Sequence, residues 1–462
     1  MWKALLVDGV VFMGRKSVCI VGGGLAGLST AYHLLIKGVK DITLIELSDR
    51  VGGLLKSEVI SGYTFDVGGS HILFSKNLRT LNEMLNLLKW DVVKHYRNAK
   101  VFYKGTFVKY PFENGLGDLP PEERFECVWD LINTYVKRVK GELPQPKNFR
   151  EWIVYVFGNA IASKYLIPYN EKIWKVDLSE VSLEWVEGRV PNPPLEDVVK
   201  SAVGLSVEGY THQLNFYYPS SGGIESLAKA LSKEIINKGV EVLLNKPVKL
   251  IRKSINGMLL VEAEGVEKVC DAVVYTAPLN RSAEVLSELL NDLSNSLKAL
   301  RSVPLAVVGL AVRGEALPYH WVYFPSSKEL FHRVAILSNF SRSNAPEGGV
   351  ALIAEVSFRS LDEMNAVSDD ELIHKVYQDL EGSGLVRNPK LEFGVVRRWA
   401  DAYIIYDTIR SSVLKEVVNK LRKYGVYPHG RFGSWEYLNM DAVYEKSAKL
   451  ADEVVTYLTR AS

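Results

Sequence analysis

Two groups of residues in this chain have the type and spacing to handle phosphate chemistry. The first is the run Gly22-Gly23-Gly24-Leu25-Ala26-Gly27. Glycine at 22 permits a tight turn, glycine at 24 lets backbone N–H groups approach a pyrophosphate, and glycine at 27 lets the following helix pack closely on the preceding strand. The second is a set of arginines, Arg189, Arg333 and Arg431, whose planar, permanently charged groups suit bidentate contact with a diphosphate better than lysine does. Arg189 precedes Val190-Pro191-Asn192-Pro193-Pro194, a stretch too proline-rich for helix and suited to a loop that closes over a ligand. A lone arginine is more often a solvated surface group, so the set matters only if the fold gathers it at one pocket. No Ser-His-Asp order, paired-carboxylate motif or cluster of metal ligands stands out, which places the expected reactive centre in a bound cofactor.

These residues need elements to position them. Residues 17–21 form a short apolar run rich in β-branched side chains, and an apolar-periodic stretch follows the glycines to Ile36, predicting strand, turn and helix. A second strand over 42–45 ends at Glu46, where a carboxylate can bind a ribose hydroxyl pair. Helical patterns are expected at 78–88, 121–139 and 150–157. Strand patterns are expected at 240–244, 248–251, 258–263 and 272–275, then at 304–312, 334–337, 351–356 and 393–399. This order predicts an α/β protein whose Rossmann-like nucleotide-binding domain is assembled discontinuously from residues 15–77, 219–300 and 400–462. A mainly helical substrate and lid domain would occupy 78–218, and an antiparallel-sheet substrate domain 301–399.

Composition bounds the rest. A chain of 462 residues with 47% hydrophobic and 24% charged residues belongs with globular proteins and has the length for two or three domains. Lys plus Arg (56) against Asp plus Glu (54) gives a net charge of +2, which argues against wholesale binding to nucleic acid or anionic membranes. No apolar run approaches the roughly 20 residues needed to span a bilayer. Cys19, Cys127 and Cys270 are widely spaced, so neither a zinc site nor a disulfide framework is expected, and a reducing cytoplasm fits. The opening dozen residues read as an extended start, with Met13 as the expected initiator. The oligomeric state is not encoded in any of these features.

Asp49-Arg50-Val51-Gly52-Gly53-Leu54 resembles the second fingerprint of flavoproteins related to glutathione reductase, amine oxidases and protoporphyrinogen oxidases. His429-Gly430-Arg431-Phe432-Gly433, followed by Tyr437 and Asn439-Met440-Asp441, resembles their carboxy-terminal flavin motif. The resemblance implies FAD as the cofactor. Its implied binding residues are Gly22, Gly24, Leu25, Ala26, Gly27, Glu46, Arg50, Gly53, Leu54, Val248, Gly430, Arg431, Asn439 and Met440.

Other segments are similar to UDP-galactopyranose mutases. They are Phe65-Asp66-Val67-Gly68-Gly69-Ser70-His71, the Lys104-Gly105 to Tyr110-Pro111-Phe112 run, Pro168-Tyr169-Asn170-Glu171-Lys172-Ile173-Trp174, Trp185 to Val190, and His332-Arg333 to Ser341. This resemblance implies that reduced flavin N5 attacks the anomeric carbon of a UDP-sugar and that the ring recloses through another hydroxyl, interconverting pyranose and furanose without net redox change. Arg189 and Arg333 would clamp the diphosphate with help from Tyr323 and Tyr437. Tyr169 would carry the uracil, and Phe74, Asn170, Trp174 and Asn439 would complete the substrate side. His71 would tune flavin protonation, and a reductant such as NAD(P)H would act as a partner. The Ala402-Tyr403-Ile404-Ile405-Tyr406-Asp407 segment and the inserted Ser70 depart from the mutase pattern, which keeps open an FAD-dependent oxidoreductase of the amine oxidase and protoporphyrinogen oxidase type.

Overall fold

The computed structural model describes residues 6–7, 10–11, 16–186, 189–190, 192–208 and 214–460; Met13 lies outside them. Its nucleotide-binding layer is a five-stranded sheet in the order Glu241–Leu243, Asp41–Ile45, Ser17–Val21, Ala272–Tyr275, Val426–Pro428. All neighbouring pairs are parallel. A parallel sheet needs cover on both faces, and its strands are accordingly apolar throughout: Val18, Ile20, Leu44, Val273 and Val274 are all buried. The strands come from the first, middle and last parts of the chain. Helices Leu25–Ile36, Glu225–Asn237 and Met440–Arg460 pack together on this layer. Among the described residues no helix is long and apolar enough to cross a membrane, and all three cysteines are buried free thiols.

A seven-stranded sheet stands over the carboxyl ends of that layer. Its order is Val386–Ile404, Ser302–Ala316, Gly349–Ser357, Arg333–Ile336, Trp321–Tyr323, Ala99–Tyr103, Thr106–Lys109. Strand alternation divides its two faces. Val308, Val322, Val334, Ala354 and Val396 join a core that also takes in Leu372, Val376 and Leu380 of helix Asp369–Ser383. The alternate residues Tyr323, Arg333 and Glu355 turn the other way and lie side by side, Tyr323 opposite Arg333 and Arg333 opposite Glu355.

The helix expected at 121–139 forms as Pro121–Val139, with Pro at its start, acids in its first turn and bases in its last. Phe149–Ile161 continues through a widened π-helical turn, Ala162–Leu166, into helix Ile167–Trp174. Pro168 has no N–H to return to the preceding turn, and the widened turn accommodates it.

The expectation of mainly helix across 78–218 fails between 92 and 109. Val92–Tyr96 pairs with Asn215–Pro219, while Ala99–Tyr103 and Thr106–Lys109 form the edge of the large sheet. The connecting Lys104-Gly105 has φ of +48° and +83°, the geometry of a tight hairpin turn flanked by alternating apolar residues. The last long strand also runs to Ile404, so 400–404 belongs to this sheet rather than to the nucleotide-binding layer.

Candidate active site

The glycine turn has the shape that its sequence predicts. Gly22 sits at φ +102°, and a Cβ there would lie 2.2 Å from Thr276 Oγ1; at Gly27 it would lie 1.9 Å from the Gly22 carbonyl oxygen. Around Gly24 the nearest atom to such a Cβ is Gly53 Cα at 3.9 Å, so that side is open. The second fingerprint lies alongside, with Gly24 bridged to Gly52. Glu46 closes the turn: Oε2 accepts from the Gly23 N–H at 2.6 Å and Oε1 from the Ser48 N–H at 2.9 Å. Asn245 and Lys246 donate their N–H groups to the Ser48 and Glu46 carbonyls, which ties the segment leading into Val248 to the same turn. Arg50 is spent largely on structure, its Nε donating to buried Glu225 at 2.9 Å.

The carboxy-terminal motif completes the cradle. Gly430, at φ +80°, packs on Ala26, where an added Cβ would come within 2.5 Å of the alanine Cβ. Gly433 lies under the Tyr275 carbonyl, where an added Cβ would be at 2.4 Å. Met440 is buried at the start of the final helix. A turn that only glycine can make, with open space at Gly24 and a carboxylate behind it, fits a dinucleotide such as FAD.

A cavity of about 760 Å³ opens between this cradle, the polar face of the large sheet and helix Ile167–Trp174. Leu54, His71, Arg431 and Asn439 line it from the cradle side; Phe74, Tyr169, Asn170, Arg189, Tyr323, Arg333 and Tyr437 also line it. Sequence positions more than 360 residues apart thus meet at one site. Glu187, Gly188 and Pro191 of the expected lid lie outside the described residues.

Trp174 does not line the cavity. It is 2% exposed and wedged behind the wall, 4.6 Å from Trp185 and 6.1 Å from Tyr403 between ring centroids. Its ring is buried at the end of the helix against Trp185, and Trp185 takes the place facing the cavity. Asn170 is braced, its Nδ2 donating to the Leu166 carbonyl and its Oδ1 accepting from the Trp174 indole at 3.4 Å. The sequence reading also missed Lys76, Arg97, Trp321, Glu355 and Tyr403, all of which line the cavity. None belongs to a motif used above except Tyr403. Strand alternation was the available signal for Trp321, Glu355 and Tyr403; Lys76 and Arg97 lie between elements and carry none.

Glu355 organises the cationic wall. It is 1% exposed and accepts from Arg333 Nε at 3.0 Å and from the Tyr403 hydroxyl at 2.8 Å. Burial alone would raise its carboxyl, but Arg333 and neighbouring His332 hold it well below the usual carboxylate range. Arg97 donates to the Tyr323 hydroxyl at 2.8 Å and lies 4.8 Å from the centre of the Trp321 ring. Arg189 donates to the Glu184 carbonyl and the Tyr406 hydroxyl at 3.0 and 3.1 Å, and Arg431 lies 4.2 Å from the centre of the Tyr437 ring. Among the described residues, five cationic side chains, Lys76, Arg97, Arg189, Arg333 and Arg431, therefore line the cavity with a single carboxylate, Glu355.

His71 Nδ1 lies 2.9 Å from the Gly69 carbonyl. A carbonyl only accepts, so this nitrogen carries the proton and the other is left as an acceptor. Burial, then the charge of Arg431, lowers its pKa from 6.5 to about 4, against the opposing Gly69 bond. Its share of stability is therefore complete above pH 6.5 and is lost as the pH falls through about 4. In a ¹⁵N-histidine NMR titration of the FAD-loaded protein, the His71 signals are expected to stay those of a neutral ring at pH 6; a midpoint near 6.5 would contradict the burial argument.

Comparison with known proteins brings these observations together. Residues 25–412 match the family described as flavin containing amine oxidoreductase. Coproporphyrinogen III oxidase of Staphylococcus aureus (strain NCTC 8325 / PS 47) is 25% identical over 292 residues, 57% of this chain and 60% of that enzyme, so the match spans less than two thirds of it. Polyamine oxidase 5 of Oryza sativa subsp. japonica is 24% identical over 379 residues, 79% of this chain and 71% of that one. Among solved structures, a reduced UDP-galactopyranose mutase superposes with a TM-score of 0.87 at 25% identity, covering 96% of both chains. The fold thus carries several reactions, and the curated sequence relatives bear oxidase names although the motif resemblance is to mutases. With most of its length matched and its glycine cradle formed, the chain belongs to the flavin containing amine oxidoreductase family, whose cofactor is FAD.

Proposed function

We propose that this protein is a nucleotide-sugar mutase that interconverts UDP-galactopyranose and UDP-galactofuranose with reduced FAD. The observation that carries this reading is the charge of the cavity, five cations around one carboxylate. A polyamine is itself cationic and would be repelled there, whereas a diphosphate would be drawn in and neutralised as it leaves and returns. Bound and reduced, FAD supplies the nucleophilic centre for exchange at the anomeric carbon.

The chain's residues do the rest. Arg189 and Arg333 bind the two phosphates, and the phenols of Tyr323 and Tyr437 add hydrogen bonds to them. Tyr169, stacked on Tyr165 at 5.2 Å, offers its ring edge and hydroxyl to the nucleoside end. Phe74, Asn170 and Asn439 orient the sugar, and the aromatic wall of Trp185, Trp321 and Tyr403 excludes water from the reacting carbon. His71, neutral at its working pH, presents an acceptor to the flavin side.

A second reading, oxidation of coproporphyrinogen, is favoured by the sequence relatives and by the fact that a porphyrinogen's carboxylates also suit a cationic cavity. One pair of assays separates the two. Protein kept reduced with dithionite should convert UDP-galactofuranose to UDP-galactopyranose, resolved by chromatography, while oxidised protein should release no peroxide from coproporphyrinogen III. Full FAD loading with no nucleotide-sugar conversion would overturn the mutase reading, and peroxide release would establish the other.

A further inference from the structure

A second cleft, of about 300 Å³, lies on the far side of the wall that closes the cavity. Lys175, Arg281, Arg301 and Arg359 line it, and Asp401 is the single acid among the lining residues. We propose that this cleft is a separate binding site for a phosphomonoester of a small hydroxylated molecule.

The charges do not cancel internally. Asp401 is 6% exposed and already accepts from Asn280, Arg281 and Ser302, so it has little left to offer the other cations. Arg301 is paired with Glu180 at 2.8 Å. Among the described residues, neither the Lys175 ammonium nor the Arg359 guanidinium makes a hydrogen bond or ion pair. Burial lowers the Lys175 pKa; the pull of Glu363 opposes this and the smaller repulsion of Arg359 adds to it. Two cations facing one cleft with mutual repulsion are stabilised by an anion between them, and a guanidinium beside an ammonium suits a phosphate dianion.

A further atom indicates what else the ligand carries. The Oδ1 of Asn280, which lines the cleft, is buried with no donor. A buried acceptor left unpaired is destabilising, and a ligand hydroxyl entering the cleft would satisfy it. The Ser360 hydroxyl accepts from the Glu363 N–H at 3.1 Å and keeps its own proton to donate to a phosphate oxygen.

The site is distinct from the catalytic cavity yet shares a wall with it. Trp174 lines the cleft, and its ring packs on Trp185 and Tyr403, which line the cavity. Along one strand, Asp401 faces the cleft while Ala402 and Tyr403 line the cavity. A phosphate held at the cleft would therefore press on the ring that braces Asn170.

Calorimetric titration of the FAD-loaded protein at constant ionic strength, with inorganic phosphate and glycerol 3-phosphate as probes, tests this. A saturable phase that the cleft variants remove is expected for both, several-fold tighter for glycerol 3-phosphate. Arg359→Ala and Lys175→Gln should each weaken it at least tenfold, whereas Arg189→Ala, in the cavity, should leave it unchanged; flavin absorbance reports that each variant is folded. No saturable heat, or binding lost in Arg189→Ala and kept in Arg359→Ala, would overturn the site. Equal affinity for the two probes would overturn the hydroxyl contact at Asn280. The outcome is independent of whether the catalytic cavity acts on nucleotide sugars.

Discussion

Arg333→Ala is expected to abolish most turnover and to destabilise the protein through a partner that never touches solvent. Arg333 lies in the cavity and also neutralises Glu355, which is 1% exposed. Losing a charged contact to a buried diphosphate costs about 2–5 kcal/mol, roughly 30- to 5,000-fold in kcat/KM. Breaking a buried ion pair from one side costs about 3–5 kcal/mol in stability because the remaining charge is uncompensated. In the intact protein Arg333 and His332 overcome burial and hold the Glu355 carboxyl low, so its contribution is present above its unfolded pKa of 4.5 and is lost only in strong acid. Without Arg333, burial dominates and the carboxyl rises above 4.5, so stability falls as the pH rises through the new value. The Tm deficit of the variant should therefore be largest at neutral pH and shrink toward pH 4. Arg333→Ala combined with Glu355→Gln should recover most of the Tm and none of the turnover. Wild-type Tm at pH 7.5 in the single variant would show that the pair does not carry the wall.

Gly27→Ala is expected to yield protein without flavin. The added Cβ would sit 1.9 Å from the Gly22 carbonyl oxygen, backbone against backbone, where no side chain can swing aside. Relief requires helix Leu25–Ile36 to withdraw by about 1 Å, yet it is packed on Glu225–Asn237 and Met440–Arg460. Overpacking of this kind costs about 3 kcal/mol or more, and the displaced turn no longer presents its N–H groups to the pyrophosphate. The flavin-to-protein absorbance ratio should fall below a tenth of wild type, with a lower Tm that added FAD does not restore. Gly38→Ala is the control: φ is +90° there but no atom lies within 4 Å of the added Cβ, so about 1 kcal/mol is lost and FAD is retained. Equal flavin loss in both variants would mean that general destabilisation, and not the turn, governs binding.

How much of this was legible beforehand depends on the range of the interaction that decides each feature. The strand at 17–21, the helix at 121–139 and the strand at 272–275 have the bounds that apolar periodicity and end signals predict, because these are decided by neighbours a few residues away. Residues 92–109 lie in a stretch whose pattern predicts mainly helix, yet they hold the strands Val92–Tyr96, Ala99–Tyr103 and Thr106–Lys109. Their short alternating runs become stable only by pairing with Asn215–Pro219 and Trp321–Tyr323. Trp174 and Trp185 both lie in motif segments, and local pattern does not say which ring faces the cavity; helix packing turns one inward and leaves the other at the wall.

By itself the sequence determined the FAD-type glycine turn, the discontinuous layer that bears it and part of the cavity lining, His71, Arg333, Arg431 and Tyr437 among it, since these follow from residue type and local conformation. Only the tertiary structure decided that Tyr323, Arg333 and Glu355 stand in one row and that Arg97 and Lys76 join them. Only it set Trp174 behind the wall with a second basic cleft beyond it. Cross-strand register brings together side chains ten to twenty-odd residues apart, and the charge they share depends on that proximity and on burial.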